Sequence, residues 1–222
     1  MGENTRLVIA TGGGFGRELA AYARDAGFDV VGFLHDLDAY PGSLDGVDLG
    51  GELLGPTTAY EPRDGELVAI GVGDVGPRRQ LAELLVSRGA RLATVVHPTA
   101  WVAPNAVIGE GVAIAPFAVV GPQATIGDLS ILNIYASVTH DASIGRCCVL
   151  SPYATANGRV TLEDEVFLAT HATVAPRRRV GARSSVSAGS VVFRDVAPDS
   201  LAAGNPARAR ALYRRDTEEG RA

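Results

Sequence analysis

The chain has 222 residues, of which 46% are hydrophobic and 20% charged, and its formal net charge is −5. This length suits one or two domains, and the acidic balance argues against a general nucleic-acid or membrane-surface binder, since such proteins present a basic face. No apolar run approaches the ~20 residues of a membrane-spanning helix and no signal-peptide pattern opens the chain, so we expect a cytoplasmic protein.

The N-terminal part of the chain alternates predicted strands with predicted helices. Strands are predicted at 6–10, 28–34, 67–70 and 91–96, with one helix that ends near residue 26 and another at 77–88. This alternation is typical of a small doubly wound parallel sheet, a Rossmann-like domain. We predict that this domain ends at His97-Pro98 and spans residues 1–97.

A glycine-rich turn follows the first predicted strand. Gly13, Gly14, Phe15 and Gly16 open the first helix, and an acidic residue, Asp36, lies twenty positions after the last of these glycines. Glycines let a backbone approach a phosphate at a helix N-terminus, and an acid at this spacing can reach a ribose hydroxyl. The domain has room for only one mononucleotide-binding half, which favours a nucleotide-linked sugar over NAD. A tight turn without a ligand is the alternative.

A second candidate loop follows the third predicted strand. Gly71, Gly73 and Asp74 lie at the carboxyl end of that strand, where open parallel sheets bind their ligands. We expect these residues to line the same substrate site, with an ordinary connecting loop as the alternative.

Aliphatic side chains then recur at every sixth position without a slip. These sixteen anchors are Val102, Ile108, Ile114, Val120, Ile126, Leu132, Val138, Ile144, Leu150, Ala156, Leu162, Leu168, Val174, Val180, Val186 and Val192. A second column of small or aliphatic residues follows four positions after each anchor and is broken only by Arg178. A period of six fits neither a helix nor a hairpin, and it predicts a solenoid of short parallel strands over residues 98–197.

Residues eighteen positions apart become neighbours in such a solenoid. Three hexads make one triangular coil, and coils stack at the ~4.8 Å spacing of adjacent strands. His140 occupies an outward position of its hexad, and Gly158 stacks directly upon it. His171 also faces outward, and we expect a structural or substrate-edge role for it. Cys147 and Cys148 are adjacent, which suits neither a disulfide nor a metal clamp.

Three segments carry a resemblance to a known family: GGFGRE at 13–18, VTHDASIG at 138–145 and AGNPAR at 203–208. With the hexads, they resemble the hexapeptide-repeat sugar O- and N-acetyltransferases, which include the bacterial nucleotide-amino-sugar N-acetyltransferases of bacillosamine and perosamine pathways and the sialic acid O-acetyltransferases. The resemblance implies a left-handed parallel β-helix, although parallel crossovers are right-handed in nearly all folds. It also implies acetyl-CoA as co-substrate, no metal, and a homotrimer with active sites between subunits.

The resemblance implies roles for individual residues. His140 would be the general base, with Asp141 holding its ring. The backbone amide of Gly158 would contact the thioester of acetyl-CoA, and Asn133 is assigned to the same co-substrate. Arg177, in the run 177–179, would pair with CoA phosphates or face solvent.

Four positions depart from the family's usual pattern. Val149 stands nine residues after the base, where a second histidine is frequent. Thr11 replaces the first glycine of the nucleotide turn and His35 replaces one of the usual paired acids, so the identity of the nucleotide stays open. Arg178, in the column of small residues, predicts a locally distorted coil.

Acetyl transfer from acetyl-CoA to the amine of a nucleotide-linked amino sugar is the function we expect. O-acetylation of a sugar hydroxyl is the first alternative, and a non-catalytic nucleotide-sugar-binding scaffold is the second. A zinc-dependent β-helix enzyme would need clustered histidines, and the four histidines of this chain are scattered.

The outer faces of the solenoid are expected to need a partner. Phe117, Ile131, Ile134 and Val149 are predicted to face outward, and an apolar surface of that kind is a liability unless a partner covers it. After the solenoid, over residues 198–222, we expect a short cap helix and a charged tail.

Overall fold

The structure, a computed structural model, describes residues 5–36, 42 and 44–212. Its first part is a parallel sheet of four strands with two α-helices. In chain order the elements are β1 (Arg6–Ala10), α1 (Gly14–Asp25), β2 (Asp29–Leu34), β3 (Glu52–Gly55), a 3₁₀ turn (Thr57–Ala59), β4 (Glu66–Ile70) and α2 (Val75–Ser87). The strand order across the sheet is β3-β2-β1-β4, so the apolar β1 has a neighbour on each side.

The two helices pack on opposite faces of the sheet because the side chains of β1 alternate. Leu7 and Ile9 cluster with α1, and Val8 and Ala10 cluster with α2. A strand buried on both faces reads as a continuous apolar run, and the three strands predicted at 6–10, 28–34 and 67–70 are confirmed. Among the described residues, no helix is long and apolar enough to cross a membrane.

Two details of this sheet differ from the prediction. The segment between the second and third predicted strands, for which no strand was predicted, contains β3, which pairs with β2 and forms one edge of the sheet. The strand predicted at 91–96 is divided between the two parts of the molecule. Leu92 makes a single parallel bridge to Val68, whereas Val95–Val96 pairs with the solenoid strand Ala113–Ile114. The chain therefore passes from the sheet into the solenoid without a linker.

The second part is a parallel β-solenoid built from two-residue strands. These are β5 (Val95–Val96), β6 (Trp101–Val102), β7 (Val107–Ile108), β8 (Ala113–Ile114), β9 (Val119–Val120), β10 (Thr125–Ile126), β11 (Ile131–Leu132), β12 (Ser137–Val138), β13 (Ser143–Ile144), β14 (Val149–Leu150), β15 (Thr155–Ala156), β16 (Thr161–Leu162), β17 (Phe167–Leu168), β18 (Thr173–Val174), β19 (Arg179–Val180), β20 (Ser185–Val186) and β21 (Val191–Val192). They form three sheets, one for each side of a triangular prism.

The register of these sheets confirms the eighteen-residue rule. Ser137 pairs with Thr155, and Thr155 pairs with Thr173. The anchors point inward, as predicted: Ile126 and Ile144 are each 2% exposed and Leu162 is 1% exposed. Of the sixteen, only the first two are partly buried, since they lie near the open end of the prism.

The N-terminal sheet covers one outer face of the solenoid. Ile131 and Val149 are buried in one cluster with residues of β1 and α1. Our expectation that these two side chains face outward for a partner is therefore wrong, because this chain's own first domain already covers them. Phe117 remains half exposed and Ile134 is partly buried.

A hairpin closes the other end of the solenoid. β22 (Ser200–Gly204) continues one solenoid sheet in parallel, and β23 (Ala207–Ala211) pairs with it antiparallel. The short cap helix, predicted for the arginine-rich segment after Arg208, is therefore wrong for residues 209–211, which belong to a hairpin that extends the sheet. The predicted charged tail, at 213–222, lies outside the described residues.

Replacing an interior anchor should destabilise the fold much more than trimming an outward side chain of the same solenoid. Leu150 is fully buried, so Leu150→Ala should lower the free energy of unfolding by about 2–5 kcal/mol, from lost burial and a cavity. Val107 is 63% exposed, so the control Val107→Ala should change it by less than about 0.5 kcal/mol. Chemical denaturation measures both, and equal losses would contradict the inward assignment of the anchors.

Candidate functional site

His140 and Asp141 lie at the corner of the prism between β12 and β13. Side chains of consecutive residues normally point apart along a strand. Asp141 has a left-handed backbone conformation with a φ of 59°, which breaks that alternation. The Nδ1 atom of His140 consequently lies 2.8 Å from Oδ2 of Asp141. The pairing expected from the sequence is present, and the corner conformation explains it.

The Asp141 contact decides which nitrogen of the ring is available for chemistry. A carboxylate accepts from Nδ1–H, so Nε2 of the neutral ring is left as a proton acceptor. The His140 side chain is 60% exposed. A ligand can therefore reach Nε2 directly.

Arg159 is a further charged partner of Asp141. It lies one coil beyond, and its Nε is 3.6 Å from the same Oδ2 atom that contacts His140. The hydrogen bond from His140 and the positive charges of His140 and Arg159 hold the pKa of Asp141 below its usual range. Asp141 thus stays ionised and keeps accepting from the ring. Sequence reasoning missed Arg159, although its position eighteen residues after Asp141 could have revealed it.

Gly158 lies directly against the free nitrogen of His140, as the repeat predicts. A Cβ atom at position 158 would come within 2.6 Å of Nε2 and 2.7 Å of Cε1 of the imidazole. Any other residue at position 158 would displace the ring or occupy the space in front of it. The glycine therefore keeps the face of Nε2 open.

A cavity of about 650 Å³ surrounds this corner. It is lined by Thr139, His140, Asn157, Gly158, Arg159, Pro176, Arg177 and Arg178. Arg177, predicted for the site, is among these residues, whereas Asn133 is at a different corner, after β11. There the side chain of Asn133 accepts a hydrogen bond from the amide of Ile134. Within one chain, the structure does not bring Asn133 to His140.

A second cavity, of about 640 Å³, lies farther along the same corner. Its lining is formed by Phe193, Arg194, Asp195, Val196, Pro206, Ala207, Arg208 and Ala209. By the eighteen-residue rule, Arg194 lies three coils beyond His140. The other lining residues of this cavity, 206–209, belong to the hairpin that contains the motif at 203–208. One edge of the prism therefore carries both cavities.

The glycine turn between β1 and α1 contains two kinds of glycine. A Cβ atom on Gly13 or Gly14 would meet nothing within 4 Å, so the backbone at the start of α1 is open to a ligand. A Cβ atom on Gly16 would lie 2.0 Å from the Thr11 carbonyl oxygen, and one on Gly71 would lie 2.7 Å from the Cα of Gly16. Gly16 and Gly71 thus allow β1, α1 and β4 to meet closely.

The remaining predicted substrate residues lie at the same edge of the sheet. Asp36 accepts hydrogen bonds from the amide and hydroxyl of Thr57, so its carboxylate stabilises the 3₁₀ turn. A Cβ atom on Gly73 would lie 3.8 Å from the Cβ of Phe15, which brings the two loops together. Asp74 is exposed at the N-terminus of α2, without a side-chain capping bond.

Two of the departures noted in the sequence have local explanations. Thr11 has a φ of 94°, a conformation that favours glycine and is an outlier for a β-branched residue. Its hydroxyl donates to the carbonyl of Gly71, which ties the turn to β4. His35 is buried, and its Nδ1 accepts from the amide of Gly12 at 3.3 Å. Both residues support the glycine turn from within.

His171 belongs to a column of stacked rings on another corner of the prism. The column contains Phe117, Tyr135, Tyr153 and His171, each eighteen residues after the last, with ring centroids 5.1, 4.9 and 4.7 Å apart. This aromatic column is separate from the His140 corner. Over the described residues, no group of three or more His, Cys, Asp or Glu side chains is placed to hold a metal ion.

Solved structures with the same architecture were found, although no protein-family model and no curated protein matches the chain. PerB from Caulobacter crescentus, in complex with CoA and GDP-perosamine, is 31% identical with a TM-score of 0.81, and the match covers 92% of this chain and 97% of that one. The acetyltransferase domain of PglB from Neisseria gonorrhoeae is 28% identical with a TM-score of 0.83, covering 92% and 99%. WeeI from Acinetobacter baumannii is 26% identical with a TM-score of 0.80, covering 93% and 100%.

Proposed function

The chain belongs to the hexapeptide-repeat β-helix family of acetyl-CoA-dependent sugar N-acetyltransferases, and from this we propose that it acetylates the amine of a nucleotide-linked amino sugar with His140 as general base. The observation that carries the mechanism is the free Nε2 of His140 beside Gly158, with Nδ1 held by Asp141. Similar structures that bind CoA and GDP-perosamine, or acetyl coenzyme A, support the two substrate classes.

The proposed reaction is direct transfer without an acyl-enzyme. The amine nitrogen of the sugar attacks the thioester carbonyl, and its proton passes to Nε2 of His140. The amide of Gly158 donates to the carbonyl oxygen as that oxygen gains charge. The C–S bond then breaks, and the CoA sulfur takes the proton back from the imidazolium. Asp141 keeps the ring in the required tautomer and stabilises its protonated form.

We propose that acetyl-CoA lies along the corner that carries both cavities. The lining of the first cavity includes three arginines, Arg159, Arg177 and Arg178, and guanidinium groups pair well with phosphate oxygens. The corner runs from His140 past Gly158 and Pro176 toward Arg194. That direction gives an extended pantetheine arm a path in which its thioester end meets His140.

The acceptor's nucleotide is proposed to bind at the edge of the N-terminal sheet, in a Rossmann-like domain of residues 1–97. The open backbone of Gly13 and Gly14 at the N-terminus of α1 favours a phosphate, and the loop 71–74 lies beside it. Residues 98–197 would form the left-handed β-helix that carries the chemistry, and 198–222 the cap and tail. Asp36 already accepts two hydrogen bonds from Thr57, so a contact between Asp36 and a ribose hydroxyl would be made alongside them.

N-acetylation is favoured over O-acetylation because the similar structures include N-acetyltransferases of perosamine. A structure of the histidine-to-alanine variant of the Caulobacter crescentus GDP-perosamine N-acetyl transferase, also with CoA and GDP-perosamine, is 30% identical to this chain with a TM-score of 0.83, and the match covers 92% of this chain and 96% of that one. An acetyl-transfer assay distinguishes N-acetylation from the two alternatives, O-acetylation of a sugar hydroxyl and a non-catalytic nucleotide-sugar-binding scaffold.

A homotrimer is also proposed, with the aromatic column at the contact between copies. Phe117 is 51% exposed, and Tyr135 and Tyr153 are each 45% exposed. A continuous strip of stacked rings along one edge is the kind of apolar surface that a partner covers. Asn133 lies on the same corner as Tyr135. In such a trimer, Asn133 of one copy would approach the His140 site of a neighbouring copy, a site that a single chain leaves open.

The test of the function is acetyl transfer from acetyl-CoA to UDP-, dTDP- and GDP-linked amino sugars, followed by mass spectrometry. The wild-type protein should form an amide with at least one of them. His140→Ala should lower turnover by about 10²–10⁴-fold, the usual contribution of a positioned base, and Asp141→Asn should lower it less. Val107→Ala, which alters an exposed side chain outside the site and outside the aromatic column, should retain turnover.

Gly158→Ala sharpens this test because the three atoms nearest to the added methyl group all belong to the imidazole of His140. It should lower turnover while leaving thermal stability close to that of the wild type. An ester product would favour the O-acetyltransferase, and binding of a sugar nucleotide without any product would favour the scaffold. Near-wild-type turnover by His140→Ala at saturating substrates would refute the base assignment.

Blocking the glycine turn should weaken binding of the acceptor alone. The space beside Gly14 is empty, so Gly14→Trp can fold while its side chain covers the start of α1. The Michaelis constant for the sugar nucleotide should rise about tenfold or more, since hydrogen bonds to charged groups contribute ~1.5–3 kcal/mol. The Michaelis constant for acetyl-CoA serves as the internal control and should not change. An unchanged constant for the sugar nucleotide would place the nucleotide elsewhere.

Charging the aromatic column should dissociate the trimer. Tyr135→Arg places a cation in the middle of the column, where burial of an unpaired charge is costly, so light scattering should report a monomer at micromolar concentration. Val86, on α2, is 49% exposed, and the control Val86→Arg should remain a trimer. A wild-type protein that is monomeric in this measurement would contradict the proposed assembly.

A further inference from the structure

Arg78 is a fully buried arginine in the first turns of α2. Its guanidinium group donates hydrogen bonds to four main-chain carbonyls. Nη1 reaches the carbonyls of Ile70 and Val72, Nε reaches that of Leu129 at 2.6 Å, and Nη2 reaches that of Gly111 at 2.9 Å. Arginine is rarely buried without a carboxylate partner. The usual explanation for a buried charge, an ion pair, therefore does not account for this residue.

The four acceptors belong to two different parts of the molecule. Ile70 and Val72 flank Gly71 at the carboxyl end of β4, where the loop 71–74 begins. Gly111 and Leu129 are eighteen residues apart, at stacked corners of two successive coils. Leu129 belongs to the same coil as His140. One planar group thus joins the loop proposed to contact the acceptor's nucleotide to the coil that carries the proposed base.

The chemistry of the guanidinium suits this arrangement. Its donors point in fixed directions within one plane, so four acceptors at set positions determine how the two parts are oriented. An apolar side chain of similar length would fill the space but would let the surfaces slide. Burial lowers the pKa of Arg78 to about 10, which still leaves the group charged at neutral pH.

We propose that Arg78 is a positioning residue for acetyl transfer: it fixes the loop 71–74 against the coil of His140 and so sets the reach from the bound nucleotide to Nε2. The inference rests on the proposed function, because it requires the acceptor's nucleotide to bind at that loop. Arg78 itself touches neither substrate nor base. Its effect on the reaction passes through the two backbones that it holds.

The experiment compares Arg78→Met and Arg78→Lys with Arg79→Met. Arg79 is the adjacent residue on α2; it pairs with Glu83 on the same helix and, across the interface, with Glu165, and all three side chains are partly exposed. It is therefore a matched control for loss of an arginine at this interface. Each variant is assayed with the nucleotide-linked amino sugar and with the same amino sugar lacking its nucleotide. Amide hydrogen exchange of residues 70–74 and 111–129 is measured in parallel.

Arg78→Met should lower kcat/KM for the nucleotide-linked sugar by about 10²-fold, the usual effect of misplacing a substrate by ~1 Å. The rate with the unlinked sugar and the Michaelis constant for acetyl-CoA should not change, because neither depends on the loop. Amide exchange in residues 70–74 should become faster. Arg78→Lys should recover part of the loss. An ammonium group can donate hydrogen bonds to some of the carbonyls, but it lacks the fixed planar arrangement of donors that a guanidinium group has. Arg79→Met should behave as the wild type.

Equal losses with both sugars would overturn the proposal, because they would mean that Arg78 only stabilises the fold. Unchanged amide exchange in residues 70–74 of Arg78→Lys would also overturn it. If Arg78→Met does not fold, Arg78→Lys still supplies both measurements. Failure of the proposed function can be told apart from failure of this proposal, because it would appear as an absence of acetyl transfer by the wild-type protein. In that case the exchange experiment still reports whether Arg78 joins the two parts.

Discussion

Stacking of parallel strands at a fixed interval of eighteen residues is the constraint on which the rest of this molecule depends. Backbone amides along the solenoid strands donate to carbonyls one coil away, as the amide of Thr139 does to the carbonyl of Ala156. The interior contributes little besides aliphatic side chains at ~1.5–3 kcal/mol each. Because the interval does not vary between β6 and β20, the side chains at each corner form straight columns. The positions of the proposed base, its glycine neighbour and the arginines of the cavity follow from that geometry.

The three corners of the prism have different chemistry although the backbone is the same at each. From Phe117 to Arg183, every corner places a non-glycine residue at a φ near 60°, a conformation that costs roughly 1–2 kcal/mol for most residues. One corner carries His140 with Asp141, the second carries the aromatic column, and the third carries Leu129 and Cys147 against the N-terminal sheet. The repetitive scaffold thus has one edge covered by its own first domain, one proposed to bind substrates and one proposed to contact a partner.

Much of this arrangement could be predicted from the sequence because the period is a physical signal. The inward anchors, the contact of Gly158 with His140 and the strands β1 and β4 follow from patterns that only one structure satisfies. Which outward side chains meet solvent could not be predicted, since Ile131 and Val149 have the same hexad position as exposed residues. Their burial depends on where the N-terminal sheet docks, and that is a long-range property.

The residues that sequence reasoning missed share a cause. Arg159 and Arg78 are arginines whose partners are distant in sequence, so no local motif marks them. The arginine-rich segment after Arg208 was predicted as a helix, whereas it continues β23, because the exposed sheet end of the solenoid offered a better partner for its backbone. The split of residues 91–96 has the same origin, since a two-residue strand has no signature without its neighbour.

The corners from β6 to β21 each close without an inserted loop, and this restricts how such a chain can change its length. Gain or loss of one to five residues within the solenoid would move every later anchor off the inward column, and a single hexad would keep the anchors inside but rotate every later residue to the next edge. Only a whole coil preserves both the core and the identity of each edge. Length changes that preserve both would therefore add or remove multiples of fifty-four nucleotides in the coding sequence.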